Sequence, residues 1–253
     1  MRFEGRTAIV TGAGHGIGLA YADALAREGA RVVIAELDAA AGESAAAGLV
    51  AEGLEATAIA TDVADSASAD RLVAETVSRY GGVDILINNA AIFASIPVSR
   101  GGFEEIPERE FDAVMAVNVR GVWTVCRAVA PVMRAAGYGK ILNIGSDTAF
   151  KPVRGFAHYV ASKAAVVGLS QVLSQELGSS GIRVNCLAPT SVLSEADPDE
   201  ELLHAKEQRS LGQAIPGVLR PNDVVGAALF LVGPESDAIT GQTLLVNAGA
   251  HFK

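Results

Sequence analysis

The chain has 253 residues, half of them hydrophobic, with Lys+Arg 20 against Asp+Glu 29 and a net charge of −9. An acidic chain without a basic run is a poor match to nucleic acid or an anionic membrane, and no apolar run reaches the ~18 residues of a membrane span. The opening MRFEGRTAIV leads into a strand rather than a secretory leader, and Cys126 and Cys186 sit in apolar segments as small core residues; both point to a reducing cytoplasm. The four histidines lie far apart without metal-ligand spacing, so no metal is expected.

Short apolar runs alternate with longer helical patterns throughout. Strands are expected at 7–10, 32–35, 56–60, 85–88, 140–144, 183–187 and 243–246. Most are continuously apolar rather than alternating, as in a parallel sheet covered on both faces. Between the first two, Ile17, Ala20, Tyr21, Ala24 and Leu25 make one helical stripe. This pattern implies an α/β fold, a doubly wound (Rossmann) parallel sheet of about seven strands with helices on both faces, in three α/β/α layers. With no repeat and no linker, residues 1–253 read as a single domain.

The first strand runs into Thr11-Gly12-Ala13-Gly14-His15-Gly16-Ile17-Gly18, which opens the first helix. Such a turn lets backbone come close to a ligand and presents free amides to a phosphate, the arrangement of a dinucleotide site. Glu36 ends the second strand, where a carboxylate can accept both hydroxyls of an adenosine ribose; the same place also suits an exposed strand-end charge. Asp62 and Val63 follow the third strand, near an adenine edge. Asn88-Asn89-Ala90-Ala91 closes the fourth, where paired amides can lock adjacent loops.

Within 146–163, Tyr159 and Lys163 lie four residues apart on a helical pattern and so share a face. A cation beside a phenol draws its pKa down from ~10, which makes a general acid/base. Ser146 adds a hydroxyl that can hold the same substrate oxygen. Ordinary solvated helices also contain this spacing.

Taken together, the glycine turn, Asn-Asn-Ala, Asn118 in VMAVNVRG, Ser146, Tyr159 with Lys163, RVNCLAP and ITGQTLLVNAG resemble the short-chain dehydrogenase/reductase family, single-domain type, over essentially the whole chain. The resemblance implies a nicotinamide cofactor. Gly12, Gly16 and Gly18 would then cradle the pyrophosphate with Ile17, while Asn89 and Ala90 line the adenosine side. Lys163 would hold the nicotinamide ribose and lower the Tyr159 pKa. Asn118 would hold a water linking Lys163 to solvent, its other reading being a polar residue that kinks a helix. Pro189, Val192 and Ser194 would border the nicotinamide. The resemblance also implies a homotetramer, with Trp123 to Val132 and Val166 to Leu177 carrying spare apolar surface.

Departures from the family pattern are Ala91 for glycine, Gly145 for a first serine, Thr190 for glycine after Pro189, Ser194 for threonine, and Asn247-Ala248 for Asp-Gly. Residues 189–215 are similar to the corresponding part of phenylethanol-type alcohol dehydrogenases. Residues 190–217, with Val192, Leu193, Leu202, Leu203, Leu211 and Ile215, read either as an amphipathic substrate lid or as an exposed loop. Phe93, Ile96, Phe150, Val153, Phe156 and Leu193 suggest a mainly apolar pocket, while Lys151 and Arg154 suit either surface charge or an anionic substrate. These readings converge on an NAD-dependent oxidoreductase that interconverts a secondary alcohol and a ketone. The rival readings are an NADP-dependent carbonyl reductase and a non-catalytic NAD-binding regulator. The partner expected is a small molecule.

Overall fold

The computed structural model describes residues 1–93, 99–195 and 198–252. Seven strands form one parallel sheet: β1 (Thr7–Thr11), β2 (Arg31–Glu36), β3 (Ala56–Ala60), β4 (Ile85–Asn88), β5 (Gly139–Ile144), β6 (Ile182–Pro189) and β7 (Thr243–Val246). Their order across the sheet is β3-β2-β1-β4-β5-β6-β7. The order reverses between β1 and β4, and the C-terminal strand ends at such a reversal are where these sheets bind ligands.

Successive strand residues face opposite layers. Val10 and Ile34 join a core with Tyr21, Ala22 and Leu25 of α1 (Gly16–Arg27), Leu49 of α2 (Ala39–Ala51) and Val224 and Ala228 of α8 (Pro221–Val232). Ile9, Val33 and Leu86 face the other way, onto Leu72 of α3 (Ser66–Tyr80), Val125, Val129 and Met133 of α5 (Val122–Ala136), and Val166 and Leu177 of α6 (Ala157–Leu177). The doubly wound, three-layer sheet expected from the sequence is what the chain forms. The buried stripe of α1 is Gly18, Tyr21, Ala22, Leu25 and Ala26, rotated by about one residue from the expected one.

Between α4 (Glu108–Met115) and α5 the helix passes through a π-helical turn, Ala116–Gly121, so residues 108–136 are helical without a break. That run is long and apolar enough to cross a membrane by length and composition, at a mean hydropathy of 1.2, and half of its most apolar 18-residue stretch is buried inside the fold, where α5 covers the sheet. The sequence reading had found no such stretch, because charged residues break the apolar run while the helix continues through them.

Candidate active site

At the start of α1 the backbone is shaped for close approach. Gly12 and Gly16 adopt left-handed φ of 61° and 59°, a region in which a side chain is strained. A Cβ on Gly12 would lie 2.8 Å from Ala90 Cα, and one on Gly14 would lie 3.0 Å from Glu36 Cγ. α2 and α3 are capped by Asp38 and Asp65, whereas α1 begins after His15 with no side-chain cap. Its first amides are therefore available to an anion. Glu36 is buried at the end of β2 and turns its carboxylate toward this turn: Oε2 accepts from Gly14 N (3.0 Å) and Oε1 from Leu37 N (2.8 Å). These residues fit a dinucleotide.

The loop after β4 is fastened to the glycine turn. Asn89 Nδ2 donates to the carbonyls of Thr11 (3.1 Å) and Gly12 (3.0 Å), while the Asn89 and Ala90 amides donate to Thr11 Oγ1. Buried Asn88 reaches Asn143 Oδ1 (2.9 Å) on β5, and Asn143 Nδ2 donates to Ser170 on α6. The paired amides thus lock neighbouring loops, as their spacing suggested. Asp62 is exposed and caps its own turn by accepting from Ala64 N (2.9 Å), and Val63 is buried against Gly121.

Ser146, Tyr159 and Lys163 gather beyond β5. Ser146 is buried, accepts from Thr148 Oγ1 (2.9 Å), and hydrogen-bonds the Tyr159 side chain. Gly145 holds the register where the family has serine, for a physical reason: a Cβ there would lie 2.8 Å from Cys186 Sγ. Both cysteines are buried, and no disulfide joins them.

One expectation needs correction. Tyr159, though part of its surface opens to the cleft, is pushed up to about 12 by burial; the Ser146 hydrogen bond opposes this and the Asp147 charge adds to it. Lys163 is pushed down to about 8, chiefly by burial. Its Nζ donates to the Ile144 carbonyl (2.8 Å) and lies 5.8 Å from the Tyr159 ring centroid. The lysine therefore does not depress the phenol here; desolvation drives both groups toward neutrality.

Asn118 lies in the π-helical turn, where its side chain grips the loop after β4. Oδ1 accepts from Ile92 N (2.7 Å), and Nδ2 donates to the Ile92 carbonyl (3.2 Å) and to Ser162 Oγ (3.1 Å). Ser162 in turn donates to the Tyr159 carbonyl. These bonds join the π-helical turn to the loop after β4 and to α6.

On the substrate side, the Phe93 ring lies 4.6 Å from that of Tyr159 and 5.8 Å from that of Phe156. Leu193 is buried, Phe150 is half-buried and Val153 is exposed; Ile96 falls outside the described residues. Past Pro189, Val192 bridges Leu219, and Ser194 Cβ would be 3.4 Å from a Cβ on Gly16, so this segment lies over the glycine turn.

The expected lid does hold a helix, α7 (Glu200–Ser210), on which Leu202 and Leu203 are half-buried. Leu211 and Ile215 are exposed, and the buried residue of α7 is Lys206, whose Nζ donates to the Val192 carbonyl (2.6 Å).

Several site residues escaped the sequence reading. Thr11 anchors the loops. Buried His158 pairs through Nε2 with Glu110 Oε1 (2.8 Å), and Glu110 also accepts from Ser99 N and Oγ, which hold its carboxyl below the usual range. Asp147 meets His251 from the C-terminal end. Adjacency of His158 to Tyr159 was the one available hint. An open apolar groove of about 320 Å³ between Phe103, Ile106, Phe111 and Ala157 lies apart from the glycine turn.

A family model described as "Enoyl-(Acyl carrier protein) reductase" matches residues 12–251. The chain belongs to the short-chain dehydrogenase/reductase family. It is an oxidoreductase of that family. Among curated relatives, sorbitol dehydrogenase of Cereibacter sphaeroides is 41% identical, covering 98% of each chain. Galactitol 2-dehydrogenase of Agrobacterium fabrum is 38% identical, again covering 98% of each. A solved 3-ketoacyl-(acyl-carrier-protein) reductase of Brucella melitensis, complexed with NADH, superposes with a TM-score of 0.89 at 34% identity over 99% of this chain and all of that one.

Proposed function

We propose that this enzyme is NAD-dependent and interconverts a secondary alcohol, polyols included, with its ketone, using Tyr159 as the proton carrier. The observation that carries the proposal is the convergence of Ser146, Tyr159 and Lys163 beyond β5 with Glu36 facing the glycine turn. When bound, NAD supplies the nicotinamide that accepts or returns the hydride; Gly12, Gly16, Gly18 and Glu36 would hold its diphosphate and ribose, and Lys163, Val192 and Ser194 its nicotinamide end.

Ser146 Oγ positions the substrate oxygen beside the Tyr159 hydroxyl. A phenol held protonated near neutral pH is a ready donor to a developing alkoxide, which such donors stabilise. In the oxidative direction the same hydroxyl receives the proton through its phenolate. For oxidation the Tyr159 phenol must first lose its own proton; Lys163, with a pKa of about 8, is partly a free amine near working pH and can accept that proton and release it to solvent. Phe93 against Tyr159 supplies an apolar flank, while the polyol dehydrogenases among the relatives favour a hydroxylated substrate.

The cofactor preference follows from Glu36: beside it stand His15 and exposed Leu37, neither of them an arginine or lysine to meet a 2′-phosphate. We further propose a cytoplasmic homotetramer, supported by half-exposed Trp123 on α5 and Val172 on α6; light scattering at micromolar concentration would expose a monomer. The function itself is tested by incubating the protein with NAD and sorbitol, galactitol and 1-phenylethanol and following NADH absorbance. NADH formation with at least one is expected, and none with any would overturn the assignment.

A further inference from the structure

Three departures from the family pattern meet at one place. Thr190 hydrogen-bonds the Asp147 side chain and donates its amide to the Val246 carbonyl (3.1 Å). Asn247 is buried; its Nδ2 donates to the His251 carbonyl (2.9 Å) and its Oδ1 accepts from Gly249 N (3.1 Å). Ala248 takes a left-handed φ of 51°, the single described non-glycine residue that does so, and its carbonyl accepts from Ile215 N (2.9 Å) at the end of the lid segment. Lys151 Nζ donates to the Ala250 carbonyl (3.3 Å).

This path ends on His251, whose largely buried Nε2 faces Asp147 Oδ2 at 3.6 Å. Asp147 directly follows Ser146 in the turn that orients it, and its charge is felt at Tyr159. A strained backbone persists where its surroundings over-determine it, and such strain concentrates at functional sites.

We propose that Asn247–His251 forms a strap tying the end of the lid segment to the catalytic turn, with His251 as a positioning residue that acts through Asp147 on Ser146 and Tyr159. The strap rests on the assignment of Ser146 and Tyr159 as the reacting pair. Loss of its closing contact lets the turn drift and lowers kcat, while the glycine turn and Glu36, which lie elsewhere, keep their hold on NAD.

The test is a double-mutant cycle of His251→Ala and Asp147→Asn, with His251→Gln as the conservative variant, using the best substrate of the alcohol panel. Each single change is expected to lower kcat about tenfold, with KM for NAD within about twofold and the double variant no worse than the singles, the mark of coupled residues. His251→Gln, which keeps an N–H at similar reach, should recover most of kcat. Additive losses, an unchanged kcat, or no recovery in a folded His251→Gln would overturn the strap. Hydrogen exchange of the peptide containing the Ile215 amide supplies a readout without turnover: His251→Ala should speed it about tenfold if the strap holds the lid, and an unchanged rate would refute that. Should every panel substrate fail, the proposed activity falls, and the exchange result still decides the strap.

Discussion

Replacing Glu36 with glutamine preserves its shape and removes one charge. In the wild-type site the carboxylate lies against Gly14 and the start of the β2–α2 connection, where an adenosine 2′ substituent would be received. A 2′-phosphate about 4 Å from that carboxylate would be repelled by roughly 4 kcal/mol at an effective dielectric near 20, and neither His15 nor Leu37 offsets it. Allowing for rearrangement, NAD should be favoured at least ~10²-fold in kcat/KM, a difference of about 2.7 kcal/mol. Glutamine has one acceptor oxygen where two are used, by Gly14 N and Leu37 N, so one amide loses its charged partner, at about 1.5–3 kcal/mol. Glu36→Gln should therefore weaken NAD about tenfold and relieve NADP, narrowing the preference to about tenfold or less. The assay is kcat/KM for both cofactors with one alcohol. Equal wild-type values, or a ratio untouched by the substitution, would refute the reasoning.

Lys163→Met should abolish turnover yet stabilise the fold. The lysine pKa falls from 10.5 to about 8, so between those values the unfolded chain holds a proton that the folded one has released, and stability rises with pH there. The penalty is complete below pH 8, so the variant's gain in denaturant melts, about 1–3 kcal/mol, should be largest there and shrink toward pH 10.5; a destabilised variant at pH 7 would contradict this. Ala248→Gly relieves the left-handed φ at about 1–2 kcal/mol and gives back about 0.4–1 through unfolded-chain entropy. A rise in Tm of about 1–3 °C is expected by calorimetry, and a fall would mean that the strap needs the alanine side chain. Gly12→Ala would press Cβ onto Ala90 Cα at a φ of 61°, and fluorescence titration should show NADH affinity falling more than ~10-fold, a loss of over ~1.4 kcal/mol; unchanged affinity would count against the cradle.

All seven strands could be read from the sequence because a buried parallel strand is written as a local apolar run. Boundaries slipped where flanking residues are not apolar, as at Arg31, Gly139 and Pro189. The residues of the glycine turn and of the Tyr159–Lys163 pair were readable because each is encoded within a few neighbouring positions. What was missed depends on distant pairings: Asp147 with His251, Glu110 with His158, and Lys206 with Val192. Of the apolar residues expected to pack the lid, Val192 and Leu193 are buried and Leu202 and Leu203 half-buried, while Leu211 and Ile215 are exposed. The direction of the Tyr159 shift was misread because burial, which outweighs the neighbouring cation here, is a property of the folded molecule.

The central claim, that Tyr159 carries the proton, is tested most directly by Tyr159→Phe, with turnover and NADH binding measured on the same preparation. The phenyl ring preserves the contact with Phe93 and removes the hydroxyl that meets Ser146. Turnover should drop more than ~10²-fold, the usual scale for a general acid/base, while the NADH dissociation constant stays within about threefold. A variant that binds NADH normally and keeps most of its turnover would contradict the account.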